Sequence, residues 1–251
     1  MRLLASLLAA TLLCVGPALA GQKGLVEPSL HVAPGGTAGP RVALTFDACM
    51  GRTDMRILSA LIDNKVPATV FVTSRWLRHN APALAMLQAH PDLFEIENHG
   101  AMHVPAVDHP ATIYGIAAAG SPAAVDAEVE GGAAAIRAAG AADPHWFRGS
   151  TALYSPSAIE QIRKLGFRIA GYSVNGDGGS LLGAGMAQKR IASARDGDVV
   201  ISHINQPTHS AGEGVVKGIL ALKAKGFAFV RLSDVEVDGS DGTTATLSAV
   251  N

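Results

Sequence analysis

Residues 41–49 read Arg41-Val42-Ala43-Leu44-Thr45-Phe46-Asp47-Ala48-Cys49, and the other strands and helices of the chain can be interpreted from this run. Large apolar side chains alternate with smaller residues along this run, and the run stops at an acid just before Gly51. Alternation with a period of two, in a segment rich in β-branched and aromatic residues, is typical of a strand. The pattern therefore predicts a buried strand that presents the Asp47 carboxylate at its carboxyl end.

Later stretches repeat this arrangement of an apolar run followed at once by a polar, reactive side chain. The residues at the ends of these runs are His99, Arg148, Asn175 with Asp177, and His203. Helical patterns separate the runs, so the chain alternates between strand and helix. This alternation predicts an α/β fold: a single distorted or incomplete (β/α) barrel with about seven parallel strands, with a doubly wound open sheet as the alternative. In a barrel the carboxyl ends of all strands open on one face, so these side chains would converge there.

The two ends of the chain differ in composition from the rest. Residues 1–20 have a basic start, a short apolar run and a small-x-small ending, which predicts a signal peptide cleaved after Ala20 and a periplasmic or secreted bacterial protein. We interpret residues 21–40, rich in Gly and Pro, as a lead-in segment, residues 41–237 as the barrel, and residues 238–251 as a flexible polar tail.

Charge and cysteine content narrow the class of partner. The formal net charge is −1, and the sequence has no long run of Lys or Arg, which excludes the electrostatic pattern of a nucleic-acid or membrane-surface binder. The apolar run at residues 1–20 is too short to favour a membrane-spanning helix, so we expect no stable membrane insertion after cleavage. Of the two cysteines, Cys14 lies in the predicted signal peptide, so the mature chain keeps only Cys49 and no intrachain disulfide. We therefore expect a small or neutral substrate, and the sequence makes no prediction of oligomeric state.

His99 and His103 form a candidate metal site. They are four residues apart, and on a helical turn this spacing places both imidazoles on one face, within reach of one metal ion. Asp47 is a candidate for catalysis or metal contact because small residues follow it at the strand end; the alternative is a capping role. His203 could equally be a structural histidine, and Arg148 an ordinary ion-pair partner.

Five motifs in this order resemble those of the polysaccharide deacetylase family, carbohydrate esterase family 4, over nearly all of the chain from Val42 to about Leu232. The motifs are Thr45-Phe46-Asp47, His99-x-x-x-His103, Phe147-Arg148 with Tyr154 beyond, Ser173-Val174-Asn175, and Ile201-Ser202-His203. The resemblance implies a distorted (β/α) barrel that holds one divalent metal, usually zinc, and hydrolyses the acetamide of an N-acetylated sugar.

The resemblance also implies a role for each matching residue. A metal with an open position would polarise the acetyl carbonyl and lower the pKa of a bound water. The implied roles are Asp47 as catalytic base, Arg148 as the arginine that orients it, His203 as general acid, His99 and His103 as metal ligands, and Tyr154 and Asp177 as substrate contacts, with Asp177 close to the acid that tunes His203. A backbone N–H within Leu153–Ser155 is the candidate donor to the oxyanion.

The sequence departs from the family pattern at three places. The acid that usually follows the first Asp, and is the third protein ligand of the metal, is replaced by Ala48. Asp47, Asp54 or Cys49 could substitute for it, and we favour the two carboxylates because a free Cys is commonly a small buried hydrophobe. The Pro-rich arginine motif is replaced by Arg148-Gly149-Ser150-Thr151, and the usual Trp is missing near Gly178-Gly179.

The leading functional hypothesis is an exported, metal-dependent hydrolase that removes N-acetyl groups from an N-acetylhexosamine-containing glycan, either peptidoglycan or another surface polysaccharide. One alternative is a carbohydrate-binding relic that lost its metal together with the missing acid. Another is a hydrolase of a small non-sugar amide, because aromatic residues make up only 5% of the chain and give little sign of a long sugar-stacking groove.

Overall fold

The computed structural model describes residues 24–240. The predicted signal peptide and residues 241–251 of the predicted tail lie outside this range. Within it, the helices are α1 Met55–Asp63, α2 Ser74–His79, α3 Ala81–Ala89, α4 Pro122–Ala138, α5 Pro156–Lys164, α6 Ala184–Ala192 and α7 Ala211–Ala224. The strands are β1 Ser29–Val32, β2 Arg41–Ala48, β3 Ala68–Val72, β4 Phe94–Asn98, β5 Thr112–Ile113, β6 Ile116–Ala117, β7 Trp146–Phe147, β8 Arg168–Ile169, β9 Val174–Asn175, β10 Val199–His203, β11 Ala228–Val230 and β12 Val237–Ser240.

One parallel sheet organises the molecule, and β2 lies at its centre. The strand order is β8-β7-β4-β3-β2-β10-β9, and β11 pairs with the start of β2. Strand β10 pairs with β2 along its length, so that His203 lies opposite Asp47, and β3 pairs with the end of β2. These parallel strands and the helices between them confirm the predicted fold class.

The sheet curls because one short segment supplies both of its edges. The segment from Arg168 to Asn175 forms β8 at one edge and β9 at the other, with four residues (170–173) between them. In a flat sheet the six spacings between these edges would add up to about 28 Å, whereas five residue steps of chain reach about 18 Å at most. The edges must therefore approach each other, which produces an incomplete barrel.

The two faces of β2 have different surroundings. Val42, Leu44, Phe46 and Ala48 belong to the main hydrophobic core between the sheet and the helices. On the other face, Ala43 packs in a second cluster, while Thr45 and Asp47 bind Arg148. The strict alternation of side chains along a strand thus separates core residues from site residues.

The start and end of the described chain pair with each other. β1 runs antiparallel to β12, with Leu30 opposite Gly239, so the lead-in segment contains a strand, and residues 238–240 of the predicted tail belong to one. Further upstream, Val26 forms an isolated antiparallel bridge with Tyr154. The predicted boundaries at 40 and 237 therefore do not separate ordered from irregular chain. Among the described residues, no helix has the length and hydropathy needed to cross a membrane.

Candidate active site

Asp47 and Arg148 form a buried ion pair at the end of β2. Arg148 Nη1 donates to Asp47 Oδ1 at 3.0 Å and to Thr45 Oγ1 at 2.8 Å. Its other nitrogens donate to the carbonyls of Ala170 and Gly171, in the segment between β8 and β9. A buried pair of charges is tolerated only when its remaining hydrogen-bonding groups are satisfied. Arg148 therefore positions the Asp47 carboxylate. It also binds the segment that joins β8 to β9, the two edge strands of the sheet.

The surroundings of Asp47 keep it ionised. The residue is only 4% exposed, and burial alone would raise its pKa. The positive charges of His99, Arg148 and His203 outweigh this effect and hold the pKa of Asp47 below its ordinary value. A carboxylate with a lowered pKa is available as a proton acceptor throughout the neutral range.

Three potential metal ligands meet beside Asp47. The ligand atoms of Cys49, His99 and His103 all lie within 4.8 Å of one another, and Cys49 Sγ is 3.5 Å from His99 Nε2. His99 Nε2 is also 3.8 Å from Asp47 Oδ2. Burial alone would lower the pKa of His99, but the charges of Asp47 and Cys49 raise it to about 9, so a metal must displace a proton to bind there.

His99 and His103 converge, but not through the helical turn that their spacing predicted. No helix spans residues 99–104, and His103 instead adopts a left-handed backbone conformation with φ 64°. The two rings meet edge to face with centroids 5.1 Å apart. The buried Glu128 of α4 holds this loop by accepting hydrogen bonds from the amides of Met102 and Val104. Glu128 is not among the residues predicted from the sequence, because an acid within a helical pattern carries no local sign of this contact.

The donor set fits a zinc ion. Zinc–sulfur and zinc–nitrogen bonds of about 2.3 Å and 2.0–2.1 Å at a tetrahedral angle place the two ligand atoms about 3.6 Å apart, close to the separation of Cys49 and His99. His99 Nδ1 lies 2.6 Å from the Arg148 carbonyl, so the Nδ1–H can donate to it and leave Nε2 free for a metal. His103 Nδ1 similarly lies 3.3 Å from Ser150 Oγ. Three protein ligands and an open fourth position are the arrangement of catalytic zinc sites.

Asp54, which we predicted as a metal ligand, has a different role. Its Oδ1 accepts from the Arg56 amide at 3.0 Å and from Arg56 Nε at 2.8 Å, and its Oδ2 binds Arg56 Nη2 at 2.5 Å. The side chain thus caps the N-terminus of α1 and pairs with Arg56. Both carboxylate oxygens therefore have partners at α1, and the group of potential metal ligands found among the described residues contains Cys49 in place of Asp54.

His203 and Asp177 form a second pair on the other side of Asp47. Asp177 Oδ1 is 2.9 Å from His203 Nδ1, and Asp177 Oδ2 accepts from the His203 amide at 2.6 Å. Burial would lower the pKa of His203, but Asp177 and Cys49 raise it well above its ordinary value. The His203 side chain is 18% exposed, whereas Asp177 is fully buried. Asp177 is therefore placed to orient His203, in line with its position close to the acid that tunes this histidine in the family.

Tyr154 is also placed differently from its prediction as a substrate contact. Its ring is buried in the core around Phe147, and its hydroxyl accepts from the Gly149 amide at 2.6 Å. Burial raises its pKa further above the ordinary value. Its amide donates to the carbonyl of Val26 at 3.0 Å, so this one of the three amides in Leu153–Ser155 is not free to bind an oxyanion.

Comparisons with known proteins agree with this geometry. Residues 35–170, more than half of the chain, match the family model described as polysaccharide deacetylase. No curated protein sequence matches significantly. A carbohydrate esterase family 4 pseudoenzyme from Bacillus anthracis is 20% identical, with a TM-score of 0.65 over 82% of this chain and 67% of that one.

Two further solved structures share the fold. A family 4 carbohydrate esterase from Streptomyces lividans, in complex with acetate, is 19% identical, with a TM-score of 0.62 over 87% of this chain and 100% of the other. The family 4 carbohydrate esterase PdaA of Bacillus subtilis is also 19% identical, with a TM-score of 0.63 over 80% and 82% of the two chains. At these identities the likeness shows the fold, and the family match carries the assignment: the chain belongs to the polysaccharide deacetylase family.

Proposed function

We propose that the protein is an exported, metal-dependent hydrolase that removes N-acetyl groups from an N-acetylhexosamine-containing glycan, such as peptidoglycan or another surface polysaccharide. The observation that carries this proposal is the grouping of the Asp47–Arg148 pair, the His203–Asp177 pair and the three potential metal ligands at the carboxyl ends of the barrel strands. Acid, base and metal ligands are the groups that amide hydrolysis needs.

The Asp47–Arg148 pair and the His203–Asp177 pair have different roles in the proposed hydrolysis. A divalent metal bound by Cys49, His99 and His103 would supply a Lewis acid for the acetyl carbonyl and for the attacking water. Asp47 is ionised and accepts the proton of that water. His203, whose pKa is raised, holds a proton near neutral pH and donates it to the departing nitrogen, which an amide requires because a bare amide anion is a poor leaving group.

The substrate class is supported by the family and its structural neighbours. The Streptomyces lividans esterase was solved with acetate, the product that deacetylation would release. The residue 1–20 pattern of a signal peptide supports export to a compartment where surface glycans are found.

A metal-free glycan-binding relic is the second candidate. Ala48 replaces the acid that usually binds the metal, and the Bacillus anthracis neighbour is a pseudoenzyme of the same family. The convergence of Cys49 with the two histidines favours the enzyme, because a relic has no need for a third ligand beside them.

Metal content and acetate release separate the two candidates. We expect about one equivalent of bound zinc and acetate release from acetylated oligosaccharides. His99→Ala should lose both, whereas His203→Ala should lose activity and keep the metal, and His79→Ala, an exposed histidine on α2, should change neither. Equal metal content in the two inactive variants would contradict this division. Glycan binding by a metal-free wild-type protein would support the relic, and cleavage of small amides alone would change the substrate class.

A further inference from the structure

The three ligands of the candidate metal site include a sulfur where the family pattern implies a carboxylate. We propose that the Cys49 thiolate is the third protein ligand of the metal, and that it makes the site select zinc or cobalt over magnesium or manganese. This deepens the proposed function, since it concerns the metal of the same site.

The direction of the side chains explains why position 49, and not position 48, supplies the ligand. Ala48 is fully buried and belongs to the main core with Val72 and Trp76, so its side chain points toward the helices. Cys49 follows directly after the strand, and its Sγ lies 3.5 Å from His99 Nε2, which is itself 3.8 Å from Asp47 Oδ2, so the thiol lies on the side of Asp47. An acid at position 48 of this chain would be directed into apolar packing, whereas Cys49 faces the two histidines.

The backbone around Cys49 is held in place from β3. The amide of Thr73, which follows β3 directly, donates to the carbonyl of Ala48 at 3.3 Å, and the Thr73 hydroxyl donates to the carbonyl of Cys49. The same hydroxyl caps α2 by accepting from the Trp76 amide at 2.9 Å. A ligand whose backbone is fixed in this way is preorganised, so little ordering is left to oppose metal binding.

Donor chemistry then sets the metal preference. Thiolate and imidazole ligands suit zinc and other soft or borderline metals, whereas magnesium and manganese favour carboxylates, carbonyls and water. Replacing the family's carboxylate by a thiolate therefore moves the site away from the hard cations. The Cys49 side chain is buried, and its sulfur lies within 4.8 Å of the ligand atoms of both histidines, so a metal bound by the two imidazoles would be within reach of the thiolate.

Cobalt spectroscopy tests the proposal without depending on activity. In a Cys14→Ser background, Cys49 is the only thiol, and loading with cobalt(II) should produce a thiolate-to-cobalt charge-transfer absorption in the near ultraviolet. Cys49→Ser and Cys49→Asp should lack this absorption. Zinc affinity should fall more than about 100-fold in Cys49→Ser, because even outer-shell partners of a metal ligand cost about 10–100-fold. Cys49→Asp should bind manganese more tightly relative to zinc than the parent does.

The spectrum of the unmutated site decides the proposal even if a variant fails to fold. A cobalt-loaded parent without the charge-transfer absorption, or a Cys49→Ser variant with unchanged zinc affinity, would overturn thiolate ligation. Acetate release together with either result would leave the proposed function intact and remove only the ligand. A charge-transfer absorption in a protein that hydrolyses no acetylated substrate would establish the ligand and refute the proposed function.

Discussion

The buried carboxyl group of Glu97 leads to a prediction of how the free energy of unfolding changes with pH. This prediction does not depend on a bound metal. It lies in β4, is 4% exposed, and its Oε2 accepts from the amides of His145 and Trp146, both at 2.8 Å. Burial raises the pKa of Glu97 from 4.5 to about 8; the nearby charge of Glu95 adds to this rise, and the two amides oppose it. The folded protein therefore holds a proton on Glu97 that the unfolded chain releases at much lower pH.

The burial of Glu97 lowers the free energy of unfolding by an amount that increases with pH. Below the unfolded pKa both states are protonated, and the group contributes no pH dependence. Between that value and about 8, stability falls as pH rises, by about 1.4 kcal/mol per pH unit. From pH 5 to pH 8 the loss from this single group is about 3–4 kcal/mol. Glu97→Gln keeps an oxygen acceptor for the two amides and has no charge to bury, so it should remove this loss.

Urea unfolding at pH 5, 6, 7 and 8 measures the effect. The free energy of unfolding of Glu97→Gln relative to wild type should grow by about 3–4 kcal/mol across the range, and the variant should be the more stable protein at pH 8. Glu130→Gln, at an exposed position of α4, serves as the matched control and should track wild type. Parallel pH profiles for wild type and Glu97→Gln would refute the reasoning, because they would mean that the carboxyl group is not held protonated by the fold.

Three further predictions concern the candidate site. Arg148→Met should lower the free energy of unfolding by about 3–5 kcal/mol, since it leaves Asp47 as a buried charge without its partner; an unchanged urea midpoint would contradict this. Asp177→Asn should lower the pKa of His203 and move the alkaline limb of the kcat profile to lower pH at constant zinc content, whereas loss of zinc would assign Asp177 to the metal. Chelation should abolish acetate release, and added zinc should restore it; activity that survives complete zinc removal would refute metal dependence.

Local pattern was enough to predict the alternation of parallel strands with helices and the end of the sheet at which the reactive side chains lie. The alternation along Val42–Phe46 fixes which side chains of β2 enter the core, because a strand has a period of two whatever its neighbours are. Parallel strands bring their carboxyl ends to one mouth, so Asp47, His99 and His203 could be placed together without knowledge of any contact.

The partner of each polar side chain, in contrast, depends on contacts that form only in the folded protein. Asp54 and Cys49 both lie shortly after β2. The Asp54 carboxylate binds Arg56 at the start of α1, whereas the Cys49 thiol contacts His99, which directly follows β4. Asp177 binds His203 from 26 residues away, and Tyr154 packs in the core while its backbone pairs with Val26. Hydrogen bonding and metal ligation depend on distances of a few ångströms between groups far apart in the chain. Residue types and their spacing along the sequence do not specify those distances, because the distances depend on how the strands and loops pack together.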